Sequence, residues 1–336
     1  MGKILIIDPG KGWGHFVSKM YCYQEIAKFF NNKLYFLTKK STQAKDYLAY
    51  SSFCDEVIYL EEPKKGVIHF FHNIKIFLKN IIIVNRLNCE KCFVFHPSLR
   101  YLLIAKLSNI KIIWGLGLKF QNFFLNRDKK LYKSFFSQTV KNDKETLEFV
   151  KKITNNKNVN FKPILRKNKI QKDTVGIIIA ASGIEKRWQI SNYIEIINFL
   201  KKENFKKFLI ISGMDQADDE RIIKDKFNNE LEFIFSSDKK IKDIIPYLKS
   251  CKFCVGNDTG FSHLSVNFDI ETVIIYGDCP PQNYSNLIYN VDIHESVIRS
   301  ATSIHSIKFD KVTKEILKLL NRRGGRVVEG ARLESV

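Results

Sequence analysis

Two stretches of the sequence collect the side chains that do chemistry. In VGNDTGFSH, residues 255–263, Asp258, Thr259 and Gly260 follow an apolar run that ends at Val255 and precede a helix-like stretch carrying His263. A helix starting there turns free backbone N–H groups outward, an arrangement that binds phosphate. Asp258 or Thr259 capping the helix explains the same residue types equally well. The second stretch, ASGIEKRWQISNYIEI (residues 181–196), breaks the tie. It places Ser182, Gly183, Lys186 and Arg187 between a strand-like run and a helix-like one, and a lysine and an arginine beside a glycine turn can neutralise a diphosphate. Trp188 is read as a packing aromatic.

These loops need a scaffold that brings them to one edge. The first half alternates strand-like and helix-like runs (KILIID, FVSKMYCYQEIAKFF, KLYFLT, DEVIYL, KCFVFHP, SLRYLLIAKLS, IKIIWGLGL), and NIKIFLKNIIIVNRLN between them reads as helical, with a strand the alternative that its apolar run leaves open. The second half repeats the pattern with VGIIIAAS, NYIEIINFLKKENF, KFLIISG, LEFIFS, KFCVG and ETVIIYG. Such alternation argues a parallel sheet with crossover helices, in which ligands sit beyond the carboxyl ends of the strands. The expected fold class is α/β, two Rossmann-like domains facing a cleft. The expected boundaries are 1–160, a polar aperiodic linker over 161–173, and 174–320. Residues 321–336 switch abruptly to arginine and glycine and read as a disordered, spurious tail.

Composition narrows the classes. With 45% hydrophobic and 13% aromatic residues, the 336-residue chain is no disordered protein. No apolar run approaches the ~18 residues of a transmembrane helix, and the first strand begins too early for a signal peptide. A cytoplasmic protein, peripheral at most on the inner face of the inner membrane, is expected. The seven cysteines include Cys89/Cys92 and Cys251/Cys254 at C-x-x-C spacing, but their apolar surroundings favour small free hydrophobes over a zinc site. The formal charge of +20 comes from dispersed lysine rather than a recognition motif. It favours anionic partners, such as phosphorylated sugars, nucleotides or an acidic membrane surface, and nucleic acid is not expected.

KRWQISNY and VGNDTGFSHLS…ETVIIYGDCPPQNY together resemble the signature stretches of the family 9 glycosyltransferases, the family of the ADP-heptose:lipopolysaccharide heptosyltransferases. Lys186 and Trp188, the unbroken Asn257-Asp258-Thr259-Gly260 with His263, and the Gly277 to Pro281 turn carry it, whereas Gln189 stands where proline is usual. The resemblance implies a GT-B architecture and an inverting, metal-independent transfer without a cofactor. The donor would be a nucleotide sugar, ADP-heptose foremost, and the acceptor the lipopolysaccharide inner core. It places Ser182, Lys186 and Arg187 at the diphosphate, with backbone N–H groups from Thr259 and Gly260. Asp258 falls to the sugar hydroxyls, Met214 to the base and Asp218 to the ribose. For His263, a donor toward the phosphates and a core histidine remain open.

The family's first strand leads into a Gly-Asp pair whose aspartate is the expected base; here Gly14-His15 stands in its place. Histidine can accept a proton at neutral pH, so His15 is the expected general base, with Asp8 the runner-up. Two alternatives are a nucleotide-sugar epimerase of the same architecture and a basic nucleic-acid-binding protein.

Overall fold

The computed structural model describes residues 2–10, 12–64, 66–138, 142–159, 161, 165, 173–227, 230–300 and 302–322. The chain divides into two compact units, Met1–Arg166 and Lys167–Val336. Each is built on one parallel sheet.

The first unit pairs strands β1 (Lys3–Ile7), β2 (Leu34–Thr38), β3 (Cys54–Tyr59), β4 (Cys89–Val94) and β5 (Ile112–Gly115) in the order β3-β2-β1-β4-β5. All four pairings are parallel. The order reverses at β1/β4, so the loop after Ile7 opens at the switch point where such sheets bind ligands. The run expected as one helix after β1 is two, Trp13–Val17 and Met20–Phe29. The break at Ser18-Lys19 turns the lysine inward, and Lys19 is only 5% exposed.

The second unit pairs β6 (Thr174–Ile178), β7 (Lys207–Ile211), β8 (Glu232–Phe235), β9 (Cys251–Asn257), β10 (Thr272–Tyr276) and β11 (Ile288–Asp292) in the order β11-β10-β9-β6-β7-β8, again all parallel. This is the doubly wound order, with its switch point between β6 and β9. β6 and β10 are buried at every residue, which is why they read as unbroken apolar runs rather than alternating ones. β11 and the closing helix Phe309–Arg322 complete the layer; Val312, Ile316, Leu319 and Leu320 seat that helix on the core.

The chemistry-bearing loops thus leave strand ends side by side. At Gly256 a Cβ would come within 2.2 Å of the Ile178 carbonyl oxygen, so glycine is what lets β9 lie this close to β6. The C-x-x-C cysteines serve the same packing. Cys251 and Cys254 line the space above Gly176, and burial pushes the Cys89 thiol up to about 11 and the Cys92 thiol well above the usual range. Thiols held neutral in this way behave as small apolar groups.

Most of 161–173 and all of 323–336 lie outside the described residues. The expected tail begins too early: Asn321 and Arg322 continue the closing helix. No helix among the described residues is long and apolar enough to cross a membrane.

Candidate active site

At the end of β9 the chain passes from Asn257 through Asp258 and Thr259 into the helix Gly260–Asn267, buried along its whole length. Asn257 holds this corner. It is 1% exposed, its Oδ1 accepts from the Tyr193 hydroxyl (2.7 Å) and the Trp188 amide (3.3 Å), and its Nδ2 donates to the carbonyls of Ile179 (2.9 Å) and Ala180 (3.3 Å). One side chain therefore fixes the loop after β6 to the end of β9. Trp188 is 2% exposed, stacks edge-on against Tyr193 and donates its indole N–H to Ile307. It is a packing residue, as its type suggested.

Thr259 occupies the N-cap position in extended conformation (φ −140°, ψ 171°), but its side chain makes no capping bond. Its hydroxyl is buried without a hydrogen-bond partner. The first N–H groups of a helix have no intrahelical acceptor, so this terminus offers donors and one spare hydroxyl.

Lys186, from the loop after β6, meets Asp278, from the turn after β10, at 2.5 Å. β9 lies between those two strands, so the pair spans the end of β9 where Asp258 to Gly260 emerge. The hydrogen bond to Asp278 raises the Lys186 ammonium's pKa above its ordinary value. Arg187 pairs instead with Asp215 at 2.5 Å, and its guanidinium draws that carboxyl below the usual range. The Arg187 side chain is 14% exposed and braces the loops after β6 and β7. Ser182 is exposed on the same loop.

Asp258 and His263 form a unit. Asp258 Oδ1 and His263 Nε2 are 2.9 Å apart, His263 Nδ1 lies 2.9 Å from the Tyr284 hydroxyl, and the Cys279 thiol donates to Asp258 Oδ2 at 2.8 Å. His263 is 3% exposed with both ring nitrogens engaged. Burial and the Asp258 charge push the Tyr284 hydroxyl's pKa well up, which keeps it a proton-bearing partner.

The loop after β7 is exposed. Met214 is 90% exposed and Asp218 pairs with Arg221 at 2.9 Å on the surface. The glutamate in this run, Glu220, is taken up inside: it accepts from Ser212, Ser236 and Ser237 and ties the ends of β7 and β8.

In the first unit His15 is exposed on the short helix after β1. Asp8 is not. It is 1% exposed, and both the Lys19 ammonium and the Tyr23 hydroxyl bond its Oδ2. A buried carboxylate satisfied in this way anchors the strand end, so the structure separates the two candidate bases.

Asn257, Asp278, Cys279 and Tyr284 escaped sequence reasoning as site residues. Asn257 had a signal, an amide between an apolar strand and the loop; the others depend on which loops meet in space.

A sequence profile of glycosyltransferase family 9 (heptosyltransferase) matches residues 119–315, more than half of the chain. The chain belongs to glycosyltransferase family 9. Among solved structures it resembles a family 9 glycosyltransferase from Veillonella parvula, with TM-score 0.71 and 15% identity over 96% of this chain and 98% of that one. An E. coli heptosyltransferase solved with ADP gives 0.68 and 14% over 94% and 99%. E. coli ADP-heptose lipopolysaccharide heptosyltransferase II gives 0.69 and 14% over 96% and 99%. At these identities the likeness speaks for the fold, which is GT-B. Comparison with curated protein sequences finds no significant match. As a family 9 member the protein is a glycosyltransferase, which sets aside the epimerase and nucleic-acid alternatives.

Proposed function

We propose that this family 9 protein transfers heptose, or a related sugar, with inversion from an ADP-linked donor held on the second unit to a lipopolysaccharide inner-core acceptor on the first. The observation that carries the donor half is the cradle at the end of β9. The uncapped helix terminus, the unpartnered Thr259 hydroxyl and the Lys186 ammonium sit on loops from neighbouring strand ends, a set of donors that suits a diphosphate. In the transition state negative charge grows on the departing nucleoside diphosphate. Lys186 and the N–H groups of Thr259 and Gly260 stabilise that charge, the kind of electrostatic contribution that dominates many active sites. Ser182 adds a hydroxyl to the phosphates. Arg187, held by Asp215, acts mainly by fixing the loop that carries Lys186. Asp258, oriented by His263 and Cys279, takes the sugar hydroxyls, with Met214 and Asp218 at the nucleoside. His15 removes the proton of the acceptor hydroxyl as the glycosidic bond forms. The E. coli relatives solved with ADP and with ADP-2-deoxy-2-fluoro heptose support the choice of nucleotide and sugar.

Thermal shift with ADP, UDP, GDP and CDP tests the donor. A ligand at about 100 times its Kd stabilises by about 2.7 kcal/mol, and ADP is expected to give the largest shift. No shift with any of the four would overturn the cradle assignment, and a larger shift with another base would replace ADP.

A further inference from the structure

The helix Phe70–Arg86 in the first unit turns Ile76, Asn80 and Val84 into the core and leaves an apolar row outside. Phe71 is 83% exposed, Leu78 52%, Ile82 51% and Ile74 41%, and Ile68 in the preceding turn is 90% exposed. Positions 71, 74, 78 and 82 follow the i, i+3, i+7, i+11 spacing of a single helix stripe. Lys75, Lys79 and Arg86 fall one step round the same outward surface, since each residue advances about 100°, with Lys79 also ion-paired to Glu61. The helix contains no acidic residue. An apolar row beside a basic row is the pattern of a helix lying in a membrane interface, its apolar side in the acyl boundary and its cations at the lipid phosphates.

We propose that this face docks on an anionic lipid bilayer. Charge complementarity selects that occupant: the chain carries a formal +20, and basic residues near an acidic leaflet each contribute severalfold in affinity. The placement also suits an enzyme acting on a lipid-linked acceptor. The helix follows β3, so in a parallel sheet its first turn lies at the carboxyl ends of the strands, the edge where the His15 loop leaves β1. Phe71 and Ile68 therefore stand at the acceptor end of this unit. The docking surface needs no substrate to be tested, so its failure would leave the transferase reading untouched.

The test is flotation of the full chain with vesicles of phosphatidylcholine, alone or containing phosphatidylglycerol. Wild type is expected to float with the anionic vesicles and to stay in solution with the neutral ones. Lys75→Gln/Lys79→Gln/Arg86→Gln is expected to weaken anionic binding about a hundredfold, from three basic residues at about fivefold each. Ile74→Ser/Leu78→Ser/Ile82→Ser is expected to lower it at least about tenfold while leaving Tm unchanged. If that variant melts early, the basic-row variant, which removes no core packing, carries the test. Equal binding to both vesicle types, or wild-type flotation by the basic-row variant, would overturn the proposal. So would loss of flotation only in Phe123→Ser/Phe136→Ser, on the separate exposed phenylalanine cluster. Self-association of wild type that the apolar-row variant abolishes, without vesicle binding, would assign the face to a second copy instead.

Discussion

Lys186 is ion-paired with Asp278, and a donor diphosphate would compete for the same ammonium. Two substitutions separate these roles. Lys186→Ala is expected to lower kcat by roughly 10²–10³ without changing Tm, the loss typical of removing a transition-state charge partner. Asp278→Asn should move ADP affinity the other way, tightening Kd by up to about fivefold, because a half-exposed ion pair worth at most ~1 kcal/mol no longer opposes the ligand. Isothermal titration with ADP checks the second sign, and weaker binding would mean that Asp278 positions the lysine rather than competing for it.

The two candidate bases differ by exposure. His15→Ala is expected to lose roughly 10²–10⁴ in rate together with the acid limb of kcat/KM. An unaltered rate and pH profile would place the base elsewhere. Asp8→Asn should instead act on stability, since stripping the charge from a buried pair leaves Lys19 uncompensated at a cost of about 3–5 kcal/mol. Denaturant melts of the two variants distinguish them: His15→Ala should keep the wild-type midpoint and Asp8→Asn should not.

At the scale of elements, the donor loops are set by strand ends and by one amide. Asn257→Ala would strip partners from the Trp188 amide and two carbonyls at the β6/β9 switch point. Unpaired buried groups of this kind cost about 1–3 kcal/mol each, so a total of about 2–4 kcal/mol is expected in urea unfolding after partial relaxation. ADP affinity should fall with it, because the loop that carries Lys186 loses its tether. The apolar run at 73–88 left helix and strand both open, whereas the apolar runs of β6, β9 and β10 were legible from periodicity alone, since burial on both faces leaves a direct mark on the sequence. The break between Trp13–Val17 and Met20–Phe29 was not. Local propensity continues across Ser18-Lys19, and only the tertiary pull of buried Asp8 on Lys19 turns the chain there.

For the whole molecule, Leu319 and Leu320 are the last residues of the closing helix buried in the core of the second unit. A chain ending at Arg322 keeps that contact, and it is expected to match the full chain in Tm and in turnover with a soluble acceptor. A loss of activity in the truncated chain would show that the arginine-rich end takes part in the reaction. Dispersed lysine supplies the net charge, which suits a protein whose proposed donor and proposed docking surface are both anionic.

By itself the sequence determined the two α/β repeats and the family, because strand burial, glycine spacing and the Asn257 to Gly260 run are local or short-range patterns. It also isolated Lys186, Asp258 and Thr259 by residue type. What only the tertiary structure decided was which of these groups already have partners. Lys186 meets Asp278 across 92 positions of chain, Arg187 is held by Asp215, and His263 is committed to Asp258 and Tyr284. Such pairings depend on the strand order that sets distant loops side by side, and a charge in a sequence carries no mark of the counter-charge that the sheet will bring to it.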